Sequence, residues 1–237
     1  MFPLFLIVSA LAAPPPEAAE LPEELATAYI EAMASIRTGD HQKVSDLLAT
    51  VNEGAPDFDD AFRNRCAAER FLKHGDEARA LCARAVAIEG SWVNHAALIR
   101  DSLAAQDLDA ASRDVAVALA AHPEQLELLK LSCEVALATD DLDVLDDAIH
   151  ELDSAQQDDP WTEFYRFAMH AKKGDREPAQ IAMNRALELG IDQRGRRRMA
   201  LIPLPPERAW LSGWLLGLSG GSVVMFGLAI FMWRRSR

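Results

Sequence analysis

Residues Gln106 to Pro123 read QDLDAASRDVAVALAAHP. Ala111, Val115, Ala118 and Leu119 fall at offsets of zero, four, seven and eight, which is one face of an α-helix. Pro123 lacks the amide hydrogen that a further turn needs, so the helix stops there. Working outward, similar turn residues open similar helices at Gly39, Gly75, Asp140 and Gly174, and with Gln106 the spacings are 36, 31, 34 and 34. Each second helix repeats one packing template: Val44, Leu48, Val51; Ala78, Cys82, Ala85; Ala111, Val115, Ala118; Leu145, Ile149, Leu152; Ala179, Met183, Ala186. A period near 34 residues in helical sequence is the pattern of stacked helix pairs, none of which can bury its apolar face alone. The fold expected is all-α: a right-handed solenoid of about five helix pairs over residues 23–189, with one C-terminal transmembrane helix.

Composition agrees. Half of the 237 residues are apolar and alanine is prominent, which suits closely approaching helices, while alternating β-branched runs are nearly absent before residue 209. The net charge of −13 is unevenly spread. Residues 1–190 hold 16 basic and 35 acidic side chains, a net of −19, so the body repels phosphate backbones and no nucleic-acid partner is expected. The dense run Asp140, Asp141, Asp143, Asp146, Asp147 lacks the glycine and distal glutamate of an EF-hand loop and reads as a solvated face.

The two ends read as targeting and anchoring segments. Phe2 to Leu11 is a short apolar block that runs into Ala10-Leu11-Ala12, Ala13 and three prolines, the form of a secretory signal peptide over residues 1–13. Residues 14–22 follow as a proline-rich tether. Ala209 to Trp233 runs 25 residues without a charge between Trp210 and Trp233. At about 1.5 Å per residue it reaches ~37 Å, enough to cross a hydrocarbon core of about 30 Å. Gly213 and Gly217 have the small-xxx-small spacing through which two such helices could form a homo-oligomer.

Residues 234–237 carry Arg234, Arg235 and Arg237, a basic tail that favours the cytoplasmic side. Arg194, Arg196, Arg197, Arg198 and Arg208 lie before the apolar stretch and argue for the reverse orientation. The signal peptide decides between them, placing the repeats on the periplasmic, extracytoplasmic side of a bacterial inner membrane. The arginine cluster then has either the acidic body or lipid headgroups to meet. Two other readings stay open: a tail-anchored adaptor facing the cytosol, and an envelope protein with a cleavable C-terminal sorting tag built on Gly220, Gly221 and Ser222. Residues 190–208 form a basic, proline-containing linker in which Ile191 to Ile202 is a candidate capping helix.

The small turn and packing positions resemble the tetratricopeptide repeat (TPR) family. With Gln106 as repeat position 15, Ala111, Val115, Ala118 and Pro123 fall at positions 20, 24, 27 and 32, where the family has small, aromatic, small and proline residues. The first-helix signature of the family is replaced, for instance by Ala28, Glu31, Ala32 and Ser35 in the first repeat. The resemblance implies a protein-interaction scaffold with a concave groove lined by first-helix positions 2, 5, 9 and 12 to 13. Those positions are Tyr29, Met33, Arg37; Arg65, Glu69, Lys73; Arg100; Lys130, Glu134; Trp161, Phe164 and Lys172. They are more basic than the body around them. A protein or peptide partner bearing acidic groups is therefore expected, held by aromatic contacts near Tyr29, Trp161 and Phe164. Equally open is that these aromatics pack against neighbouring repeats and the basic residues balance local acids.

No nucleotide-binding glycine loop, HExxH, G-x-S-x-G or paired CxxC is present, and none of the six histidines pairs with a second histidine or a cysteine at metal-ligand spacing on one face. No enzyme activity, cofactor or metal is expected. Cys66 stands nine residues before Gly75 and Cys82 seven after, so antiparallel helices bring them level. Either they form a disulfide in an oxidising compartment, or they and Cys133 are small buried hydrophobes.

Overall fold

A left-handed residue turns the chain inside every helix pair. Gly39 (φ 75°), Lys73 (φ 67°), Gln106 (φ 59°), Asp140 (φ 60°) and Gly174 (φ 80°) lie 34, 33, 34 and 34 residues apart. Each ends a first helix, and the next amide reaches back five residues, as His74 N–H does to the Glu69 carbonyl at 3.0 Å and Asp107 N–H to Ser102 at 3.0 Å. That hydrogen bond uses a carbonyl the helix would otherwise leave unpaired. The aspartate after the turn then caps the second helix: Asp40, Asp107 and Asp141 accept the amides of Lys43, Ala110 and Val144.

The computed structural model describes Ala18 and residues 21–206. The readings of residues 1–13 as a signal peptide, 209–233 as a span and 234–237 as a tail lie outside these residues. Among the described residues no helix is long and apolar enough to cross a membrane. The described residues comprise eleven helices and no strand, in two compact units that meet in the chain between Gln157 and Asp158.

The first unit holds four pairs: α1 (Glu23–Thr38) with α2 (His41–Gly54), α3 (Asp59–Phe71) with α4 (Gly75–Ile88), α5 (Trp92–Ala104) with α6 (Leu108–Ala121), and α7 (Leu126–Thr139) with α8 (Leu142–Ala155). Each second helix packs on its own first helix and, in α2, α4 and α6, on the first helix of the next pair; α3 also touches α5, and α5 touches α7. The repeated template explains this. Val44, Leu48, Val51, Ala78, Cys82, Ala85, Ala111, Val115, Ala118, Leu145, Ile149 and Leu152 are all buried. One stripe per second helix thus supplies the apolar face, and the alanines let the axes approach. Ala18 and Leu21, in the stretch read as an extended tether, pack into the first core cluster with Tyr29 and Val44.

Cys66 of α3 and Cys82 of α4 form a disulfide with a Cα–Cα distance of 5.4 Å. Cys133 is free and buried, and burial pushes its thiol up to about 12.

The second unit holds α9 (Pro160–Lys173), α10 (Arg176–Glu188) and α11 (Gln193–Leu201). Asp159 caps α9 through the Thr162 amide, with Pro160 at its first position. Ala179 and Ala186 are buried on the second-helix template, with Met183 half-buried between them. α11, in the segment expected to cap the repeats, packs on α9.

Candidate functional site

The turns set which first-helix side chains share a face. In pairs one, three, four and five the structure keeps the sequence numbering of the repeat. In the second pair it does not, because the left-handed residue is Lys73 rather than Gly75. Gly75 already belongs to α4. A slip of two residues turns a helix by about 200°, so it sends the assigned side chains to the opposite face.

Arg65, Glu69 and Lys73 therefore do not hold the repeat positions that the TPR resemblance assigns to a groove in this pair. Counted from Lys73 those positions are Arg63, Ala67 and Phe71. Sequence reasoning missed them, although one signal was there: the buried triplets begin five residues after the left-handed residue in every pair, at Val44, Ala78, Ala111, Leu145 and Ala179, and only Lys73 satisfies that for the second.

Glu69 points inward. It is buried, accepts the Ser45 hydroxyl of α2 and the His74 Nδ1–H (2.7 Å), and lies 3.6 Å from Arg65 Nε. Burial alone would raise its pKa, but the two hydrogen bonds and the Arg65 charge outweigh that and hold it below the ordinary carboxylate value. Arg65 also donates to Glu77 at 2.6 Å. The ligand atoms of Glu69, His74 and Glu77 lie within 4.8 Å of one another, yet the Arg65 guanidinium already supplies their countercharge. The group is an ion-pair network that ties α2, α3 and α4 together.

Two expected aromatic contacts are also interior. Tyr29 is 3% exposed and stands edge-on to Phe58 at 5.1 Å. Phe164 is 1% exposed, packed 5.3 Å from the Trp161 ring. The Arg198 guanidinium of α11 sits over both rings, 5.8 Å from Trp161 and 5.2 Å from Phe164, and Arg194 lies 5.8 Å over Trp161. The tryptophan is thus a packing platform for α11. Lys172, at the end of α9, is exposed.

In the first unit the surface formed by first helices carries Arg37, Phe71, Arg100, Lys130 and Glu134. Phe71 is 63% exposed and stacks on His41 of α2, with centroids 4.2 Å apart and planes 6° from parallel. In the repeat it is the counterpart of Arg37 on α1. Arg100 of α5 pairs with Glu127 of α7 across neighbouring pairs. On this surface Arg100 is thus offset by an acid of the next pair, and Phe71 puts an exposed aromatic among the basic positions.

Polar side chains also stitch the interior. Asn94 donates to Asp59 (2.6 Å) and to the Glu89 carbonyl (2.8 Å), and Ser102 donates to Asp114 (2.9 Å), which Arg79 of α4 also reaches at 3.3 Å. On the other side α6 and α8 flank a cleft of about 400 Å³ floored by α7, with Val135 and Ala136 below and Asp141, Asp147 and Glu151 along the rim. It holds no histidine, cysteine or paired acid and base positioned for chemistry.

Helix pairs with a constant left-handed turn and a recurring second-helix packing triplet define an all-α helical-repeat protein of TPR-like fold. No sequence-family model and no curated protein matches the chain. Solved structures do. TTC0263, a thermophilic TPR protein of Thermus thermophilus, matches with a TM-score of 0.60 at 15% identity, over 75% of this chain and 98% of that one. YrrB, a TPR protein with an unusual peptide-binding site, matches at 0.55 and 11% identity, over 73% and 90%. A MamA RS-1 variant matches at 0.61 and 12% identity, over 75% and 98%.

Proposed function

We propose that this protein is a non-catalytic, membrane-anchored scaffold of the bacterial cell envelope that grips a protein or peptide partner on the first-helix surface of its first unit. The observation that carries the reading is Phe71. It is a large aromatic left 63% exposed at a groove position, with Arg37 at the matching place on the preceding pair and, on the following one, Arg100 one turn before the matching Ala104. An aromatic body flanked by guanidinium groups suits a peptide with an apolar side chain between acidic ones. The fold neighbour YrrB, which has a peptide-binding site, supports a partner of that kind.

The Cys66–Cys82 disulfide supports an oxidising, extracytoplasmic location for the repeats, because cytosolic thiols are kept reduced. The uncharged stretch 209–233 supplies the anchor in this reading. The five arginines before it favour the tail-anchored alternative, which leaves residues 1–13 uncleaved. Intact-mass measurement of the mature chain separates the two.

The binding surface is tested by affinity capture from envelope extracts with the full chain, its Phe71→Ala variant and its Arg100→Glu/Lys130→Glu variant, each checked for native helicity. Partners identified by mass with the parent chain are lost with both variants. Their undiminished capture by both overturns the surface assignment.

A further inference from the structure

Helix α11 has two unlike faces. Gly195 and Met199 are buried, and Arg194 and Arg198 lie over Trp161. At 100° per residue the opposite arc is Gln193, Arg196, Arg197, Ala200 and Leu201, and all five are exposed. Leu201 is 82% exposed, the most of any exposed large apolar side chain among the described residues. This outer arc has two arginines, no acid and a bare leucine, on a chain whose first 190 residues carry a net charge of −19.

The exit of the chain keeps this end of the unit close to the uncharged stretch. Pro205 is buried and its carbonyl accepts Arg176 Nη1–H of α10 at 2.7 Å, so the segment after α11 is held against the second unit. Only Glu207 and Arg208 then separate Pro206 from Ala209, where the uncharged stretch begins. Three residues reach at most about 11 Å. A span starting at Ala209 therefore keeps Pro206 within about 11 Å of it, close to the Debye length of about 10 Å at 0.1 M salt.

We propose that the outer face of α11 docks on anionic lipid headgroups, with Arg196 and Arg197 on phosphates and Leu201 in the interface. The proposal rests on the membrane anchor proposed above. The charge favours it: basic residues close to an anionic surface are each worth about a fivefold gain in association, and a neighbouring apolar side chain adds burial. The same arginines count against the chain's orientation when they are read only as topology signals. Bound to phosphates of the outer leaflet, they stay on the translocated side.

The test uses the full chain carrying Leu201→Cys, labelled with an environment-sensitive fluorophore. Cys66 and Cys82 are paired and Cys133 is buried, so the label goes to residue 201. The protein is reconstituted into vesicles of phosphatidylcholine alone or of phosphatidylcholine with phosphatidylglycerol, each containing a headgroup-attached quencher. Strong quenching is expected with phosphatidylglycerol and weak quenching without it. Arg196→Glu with Arg197→Glu lowers it at least tenfold, and added salt lowers it too. Alkaline carbonate treatment reports the anchor separately. A carbonate-resistant protein whose label is unquenched, or equally quenched in both vesicles, overturns the docking face and leaves the anchor standing. Release by carbonate removes the anchor and the proposal with it. A label that responds to an acidic peptide but not to phosphatidylglycerol assigns the face to a protein and also overturns the proposal.

Discussion

The second and third helix pairs share a period and a buried triplet but are built differently at the turn. In the third, Gln106 takes the left-handed conformation and Asp107 caps α6 through the Ala110 amide at 3.0 Å. In the second, Lys73 and His74 occupy those places, and no side chain caps α4. Two other devices hold the second pair instead. The Cys66–Cys82 disulfide joins its helices, and Glu69 gathers Ser45, His74 and Arg65 around one buried carboxylate. Register in this repeat thus comes from the buried triplet and the contacts between helices, while the turn residues adapt to it.

The largest break in that comparison is the disulfide. Closing a loop of 16 residues restrains the unfolded chain by about 3 kcal/mol, so Cys66→Ala with Cys82→Ala, or reduction of the parent, should lower stability by roughly that amount in denaturant unfolding. A loss below about 1 kcal/mol would show that the second pair does not depend on it.

Next comes Glu69. The buried hydrogen bonds that its carboxylate accepts from Ser45 and His74 place the cost of Glu69→Ala at about 2 kcal/mol. The pH dependence gives the sign. The folded pKa lies below the unfolded one, so the stabilisation is complete above the ordinary carboxylate range and is lost as pH falls from there through the lower folded value. Urea midpoints measured from neutral pH down past pH 4 should therefore fall more steeply for the parent chain than for Glu69→Gln. Parallel curves would remove Glu69 from the account of acid sensitivity.

Much of the fold was legible in the residues. The triplets from Val44 to Ala186 gave the period of the helix pairs, because each lies on the face where its second helix meets its neighbours. The surface was harder to read. Gly75-Asp76 repeats the glycine-aspartate pair of Gly39-Asp40 and Gly174-Asp175, yet it stands two residues beyond the true turn. That decoy turned Glu69 outward on paper and hid Phe71. Tyr29 and Phe164 misled for another reason: a groove position predicts direction, and Phe58 and α11 happen to cover those two. Neither cover leaves a periodic mark in the sequence.

The smallest expected effect is also the sharpest test of register, because it contrasts two glycines with the same following residue. Gly39 has φ 75°, where an L side chain is strained, whereas Gly75 is outside the left-handed region with open space around its α-carbon. Gly39→Ala should cost about 1 kcal/mol, while Gly75→Ala should gain about 0.4–1 kcal/mol by stiffening the unfolded chain in a helical position. Lys73→Gly should gain roughly 0.5 kcal/mol, since relief of the left-handed strain exceeds the added backbone entropy by only a little. Thermal unfolding of the three variants resolves the order. If Gly75→Ala lost stability as Gly39→Ala does, the turn would lie at Gly75 after all, and Arg65 and Glu69 would return to the outer surface in place of Arg63 and Phe71.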